Sequence, residues 1–252
     1  MLEKIARLCV LLLAMSTTGA SASGLSLNWD GCAADGRVGN KASACTSNAG
    51  SAGTIVATFN LSEDVLAVGG FDVFLDLVSA DTVLPAWWTT FCRTPFSLNA
   101  VIEATALNCH DWSGGAASGG LAAYGGCSNS PNAARMLAGF VIVPARTVDV
   151  LALPADGSEY FVFNIVVSNA KSSAAQGAGS CAGCDAPAVV MFSGLRMFSG
   201  AETVAIFGSP QSPGSNMVSW QGGAGVPWWL FNGCQLTPTH RSTWGAVKAL
   251  YR

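Results

Sequence analysis

Charge is scarce in this chain: Asp, Glu, Lys and Arg make up 11% of its 252 residues, against an ordinary share of about 25%. Histidine is scarcer, with only His110 and His240. The few cations form no basic stripe that could neutralise phosphates, which argues against nucleic acid as a partner. Two histidines leave little room for a zinc site, which as a rule needs four ligands; Cys109-His110 is an isolated neighbour pair. The Gly-x-Ser-x-Gly elbow of serine hydrolases is absent, as is the regular Asp/Asn spacing of an EF-hand. Beyond the N-terminus no apolar run approaches the roughly 20 residues that cross a bilayer as a helix.

What is present begins with an export signal. Lys4 and Arg7 precede an apolar run from Leu8 to Met15, and Ala20-Ser21-Ala22 follows, the layout of a signal peptide cleaved after Ala22. Residues 1–22 carry Lys4 and Arg7 against Glu3, so their removal takes the formal charge from −3 to −4. It also removes Cys9 and leaves an even set: Cys32, Cys45, Cys92, Cys109, Cys127, Cys181, Cys184 and Cys234. An even count in an exported chain points to four disulfides and to a secreted or periplasmic location. Loop-closure entropy favours near neighbours, so the expected bridges are Cys32–Cys45, Cys92–Cys109 and Cys181–Cys184. Cys127–Cys234 then closes across the chain.

Glycine is abundant, at 29 residues, which favours turns and extended chain over long helices. Period-two alternation is the strongest local signal. Leu25, Leu27 and Trp29 share one face of LSLNW, and Ile55, Ala57, Phe59 and Leu61 share one face of TIVATFNL. After Gly69-Gly70, FDVFLDLV sets Phe71, Val73, Leu75 and Leu77 against Asp72, Phe74 and Asp76. The stretches 137–143, 159–168, 188–198 and 203–207 continue the strand pattern. Between the runs lie glycine-rich connections at 31–53, 113–132, 169–187 and 209–225. Strands without alternating helices describe an antiparallel sandwich or jelly roll. One domain, 23–235, is the simplest division. The tail 236–252 changes character: Ser242 or Thr243 can cap a short helix whose Trp244, Val247 and Tyr251 share a face. A sorting or docking peptide is the other reading of that tail.

Chemistry-bearing residues are few. Cys181-Ala182-Gly183-Cys184 has the spacing of a thiol-disulfide motif, but it lies in a flexible loop rather than at the helix start that lowers a thiol pKa. His110 and Asp111 are adjacent, and on extended chain such neighbours point to opposite faces. A glycosidase needs two facing carboxylates; Asp72 and Asp76 share a strand face, while Asp30, Asp81, Asp111 and Asp185 are equally available. Calcium is the one cofactor left open, with Asp30, Asp35, the loop through Asn40, and Asp156 as oxygen donors, though without a motif. More suggestive are two Trp-Trp pairs in similar settings, LPAWWTTFC and VPWWLFNGC. Trp87, Trp88, Trp228 and Trp229 are therefore the candidate contact residues for an extracellular glycan or protein, since such rings offer large rigid surface at small entropy cost. The competing reading packs these indoles over disulfides at the sandwich ends.

The blocks LSLNWDGC, ACTSNAGS, FDVFLDLV and FNIVVSNAKS, the CAGC loop and the terminal STWGAVKALYR resemble a group of uncharacterised secreted bacterial proteins that share such a tail. FDVFLDLV and FVFNIVVSNA are also similar to strands of cohesin-type adhesion sandwiches. The expectation is thus an all-β, antiparallel sandwich of jelly-roll or cohesin/Ig-like type, stapled by disulfides and ending in a short helix. It would serve as a secreted, non-catalytic structural, adhesive or binding module, with no membrane span after signal cleavage. A secreted hydrolase of glycans or peptides, and a periplasmic thiol-disulfide protein using Cys181 and Cys184, are the alternatives.

Overall fold

The computed structural model of the protein describes residues 24–89, 91–93, 98–102, 107–127, 130–142, 151–173, 179–199, 202–207 and 215–223. The expected signal peptide and the expected C-terminal helix lie outside the described residues. Among those described there are eleven strands: β1 (Gly24–Trp29), β2 (Asn40–Lys41), β3 (Ser51–Asn60), β4 (Val68–Ser79), β5 (Leu98–Val101), β6 (Ala117–Cys127), β7 (Ser130–Ile142), β8 (Tyr160–Ser168), β9 (Ala188–Ser199), β10 (Glu202–Phe207) and β11 (Met217–Trp220).

They form two layers. A four-stranded sheet runs β1-β3-β8-β5, and a seven-stranded sheet runs β2-β11-β9-β4-β7-β6, with β10 on β9. All pairings are antiparallel except β11 with β2. The alternation explains the layering. Phe71, Val73, Leu75 and Leu77 of β4 turn inward against Leu25, Leu27, Ile55, Ala57 and Phe59 of the facing sheet, in one buried core. Each large apolar side chain so buried contributes roughly 1.5–3 kcal/mol. Glycine-rich β6, an expected turn region, is instead the outermost strand of the larger sheet, held by its main-chain pairing to β7.

Three disulfides link Cys32 to Cys109, Cys45 to Cys184 and Cys92 to Cys181. The expected near-neighbour bridges Cys32–Cys45, Cys92–Cys109 and Cys181–Cys184 are therefore corrected. Topology separates the partners that entropy would have joined. Cys32 follows β1 of the smaller sheet, packing with Cys109, Val56 and Phe161 on that sheet's outer face, whereas Cys45 lies beside Gln221 at the end of β11. Cys127 is also disulfide-bonded; the expected partner Cys234 lies outside the described residues.

Candidate functional site

The CAGC loop is where the chain's unusual residues converge. Cys181 and Cys184 reach in different directions, to Cys92 behind the first Trp-Trp pair and to Cys45 near β2. Main-chain bonds draw the same segments together: Trp87 N–H donates to Ala182 O at 2.9 Å, and Cys181 N–H to Lys171 O at 2.9 Å. The Lys171 Nζ donates to Cys92 O at 2.6 Å. Gly183 has a φ of +91°, and a Cβ there would come within 2.3 Å of the Pro85 Cβ. Only glycine lets the loop press this closely on the turn that carries the indoles.

That turn, Ala86–Trp88, points its rings inward. Trp87 is 0% and Trp88 1% exposed, so neither offers the contact surface expected of it, and that reading is corrected. The reason is packing. Trp87 stacks on Trp220 with centroids 5.3 Å apart, Trp88 meets Trp87 edge-on at 4.6 Å, and Trp220 lies 5.9 Å from Trp29. Three indole N–H groups find buried acceptors: Trp87 on Ser172 Oγ at 2.9 Å, Trp220 on Cys184 O at 2.5 Å and Trp29 on Ser219 O at 3.0 Å. The bridges and the four indoles thus plug one end of the sandwich. Trp228 and Trp229 lie outside the described residues.

Arg93, one residue after Cys92, is buried in this plug. Its guanidinium carbon sits 3.9 Å from the centroid of the Trp87 ring, and it donates to the carbonyls of Trp87, at 3.1 Å, and Ser168. Burial lowers its pKa to about 10, partly offset by Tyr124. The same burial raises the Tyr124 phenol, whose O–H donates to Trp88 O. Phe91 is the outward counterpart: at 99% exposure it stands fully in solvent beside the Cys92 anchor. In sequence it stands in WWTTFC, directly before the bridged cysteine, a position that only the burial of its neighbours sets apart from the paired indoles.

Thiol-disulfide exchange through a Cys181–Cys184 pair is overturned by the same geometry, since the two sulfurs are bonded elsewhere and both residues are buried. The carboxylates considered for hydrolysis are dispersed and mostly engaged. Asp72 pairs with Arg196 and Asp76 with Arg135; Asp81 and Asp185 are exposed in loops. Glu159 accepts from the N–H groups of Ala33 and Ala34, at 2.8 Å each, and from Thr58 Oγ1. Asp111 accepts from Ser113 and Gly115, while the His110 ring turns to Tyr160, 5.4 Å away.

The calcium candidates are likewise spread out. Asp30 pairs with Lys41 and accepts from Thr54 N–H, Asp35 accepts from Cys32 N–H, Asn40 Oδ1 accepts from Gly222 N–H, and Asp156 accepts from Ser158 N–H. Hydrogen bonds to Ser158 hold the Asp156 carboxyl below its usual range. Among the described residues no group of three or more His, Cys, Asp or Glu side chains is gathered to hold a metal ion. Comparison with protein-family models, with curated proteins and with solved structures returns no match to this chain.

Proposed function

We propose that the protein acts outside the cytoplasm as a non-catalytic structural or binding module, presenting the loop between Trp88 and Arg93 to a protein partner. The observation that carries this reading is the contrast within one short segment. Two indoles are locked inward beneath two disulfides, while Phe91 is held outward by the bridge at its neighbour Cys92. A ring on a covalently fixed base loses little conformational freedom on docking, which is how aromatic anchors gain affinity. Long-range disulfides persist in oxidising surroundings, consistent with the export signal read in residues 1–22.

The test uses the oxidised, processed protein against immobilised extracellular proteins, a glycan array and panels of glycan and peptide substrates. Protein binding lost on Phe91→Ala, with no turnover of any substrate, is the expected result. Binding to glycans alone would reassign the partner class. Hydrolysis abolished by substituting a carboxylate would overturn the reading.

A further inference from the structure

The outer face of the seven-stranded sheet changes character along its length. At one end Val78 of β4, Ala133 of β7, and Val189 and Met191 of β9 form a second apolar cluster, all buried. At the other end large apolar side chains stand in solvent. Val141 of β7 is 56% exposed, Phe198 of β9 39%, and Leu66, whose carbonyl takes the Ser199 hydroxyl at the end of β9, 64%. Among the described residues only Val38, Val83 and Phe91 are comparably exposed, so exposed apolar surface is concentrated here, as it is where proteins associate. An ion pair lies between the rings. Arg196 donates through Nε, at 3.1 Å, and through one Nη to the same oxygen of Asp72, Oδ2. Its guanidinium carbon is 5.6 Å from the centroids of both Phe74 and Phe198. Asp72 Oδ1 and the other Nη of Arg196 have no partner among the described residues. That oxygen lies toward Gly139, where an added Cβ would be 3.8 Å from it.

The two central strands carry a pattern that is its own complement. In register, Gly194 of β9 stands beside Phe74 of β4, Arg196 beside Asp72, and Phe198 beside Gly70. The two glycines are buried between taller neighbours. A second copy, turned about a two-fold axis that runs along the strands between β9 and β4 in the plane of contact, exchanges these two columns. Each ring then falls on a glycine and the cation on the anion. Such an isologous contact requires that wherever one residue meets another the reverse contact also forms, and here charge and side-chain height both meet that requirement. The same axis leaves the strands of the two copies aligned, which is how sheets pack face to face. We infer that this face joins two copies of the protein, Arg196 donating to the unused Oδ1 of the partner's Asp72 while Phe198 seats over the partner's Gly70.

The size of the face sets the strength of the contact. The strands β10-β9-β4-β7-β6 give it a width of about 19 Å at about 4.8 Å per spacing, and the stretch from Val68 to Phe74 a length of about 24 Å at about 3.4 Å per residue. Each copy thus offers about 450 Å², or about 900 Å² for the pair, which is the range of weak, reversible association rather than of obligate dimers. The dimer therefore forms and dissociates with concentration. It leaves the Phe91 loop, which follows Trp88 at the plugged end of the sandwich, outside the contact.

Sedimentation velocity of the oxidised, processed protein from micromolar to millimolar concentration tests this. The weight-average mass is expected to rise from one copy toward two; one copy throughout overturns the inference. Arg196→Asp or Asp72→Arg alone sets like charges against each other across the axis and is expected to weaken association by roughly tenfold or more. The double exchange Arg196→Asp/Asp72→Arg keeps the array self-complementary and is expected to restore it. Association untouched by both single changes, or not restored by the double one, places the contact elsewhere and overturns the inference. Phe91→Ala is expected to leave the equilibrium as it is, and loss of the dimer in that variant would move the contact to the loop, with the same consequence. Should near-UV circular dichroism show that the charge variants unfold, Phe198→Ser decides instead, because its ring is exposed: a mass curve identical to wild type overturns the inference.

Discussion

Asp76 and Arg135 face one another from adjacent strands in a two-pronged ion pair, Arg135 Nε donating to Oδ1 at 2.7 Å and an Nη to Oδ2 at 2.8 Å. The pair lies beside the buried cluster on the outer face of the larger sheet. Desolvation raises the Asp76 pKa above its ordinary value, and the bonds and charge of Arg135 counter only part of that rise. A carboxyl that holds its proton more tightly when folded makes the native state bind more protons between the two pKa values, so stability falls as pH rises through that window. The contribution is fully present below the ordinary carboxylate range. Urea unfolding from acid to neutral pH should show this slope in the wild type relative to Asp76→Asn, which cannot titrate. Parallel pH profiles for the two proteins would refute it.

Removing the cation is a harsher change. Arg135→Met strands a buried carboxylate without its partner, a loss that costs roughly 3–5 kcal/mol when the remaining charge stays desolvated. Equilibrium unfolding at neutral pH measures it, and acidification should restore part of the loss because the stranded Asp76 can then take up a proton.

The bridges on the CAGC loop are expected to be structural. Cys92 and Cys181 are separated by 89 positions and Cys45 and Cys184 by 139, so each closes a long loop in the unfolded chain. Replacing Cys92 and Cys181 together with serine should cost roughly 2–5 kcal/mol, measured by denaturant midpoint. The wild-type protein should show no Cys181–Cys184 peptide on unreduced mapping; finding one as the main species would sink the connectivity described above.

Trp87→Ala and Phe91→Ala separate plug from presenter. The Trp87 indole is stacked, hydrogen-bonded and buried, and removing such a ring leaves a cavity worth roughly 3–5 kcal/mol. Phe91 touches solvent, so its truncation should shift stability by no more than about 0.5 kcal/mol. Thermal or chemical unfolding of the two variants gives the comparison directly, and equal losses would mean that Phe91 is not free.

The parts of this fold legible in sequence were the strands with a hydrophobic period. FDVFLDLV lies within β4, LSLNW is β1 without its first glycine, and the 188–198 stretch falls inside β9, because one buried face imposes period-two alternation. The strands β2, β5, β6 and β11 carried no such signal, being short or made of small residues whose place is decided by main-chain pairing with a neighbour. The Cys-rich end was legible as a place where indoles and sulfur meet, yet the pairing was not. Cys181 and Cys184 are close in sequence, but where Cys45 and Cys92 arrive depends on two sheets assembling around them. Arg93 belongs to no motif, and Phe91 shares the LPAWWTTFC run with the indoles, where only burial distinguishes a plug from a presented ring.

Gly119 tests whether edge strand β6 is held by main-chain approach. A Cβ there would lie 2.1 Å from Gly139 O and 2.7 Å from Phe140 Cα on the paired strand β7, and backbone atoms cannot swing aside as a side chain can. Gly119→Ala must therefore push β6 away from β7, with a cost of roughly 1–3 kcal/mol of the kind seen on overpacking. Gly125 on the same strand has nothing within 4 Å of the corresponding position, so Gly125→Ala provides the matched control. Hydrogen exchange should show faster opening of the β6–β7 amides in Gly119→Ala and near wild-type rates in Gly125→Ala. Similar behaviour of the two variants would show that the close approach at Gly119 does not hold the edge.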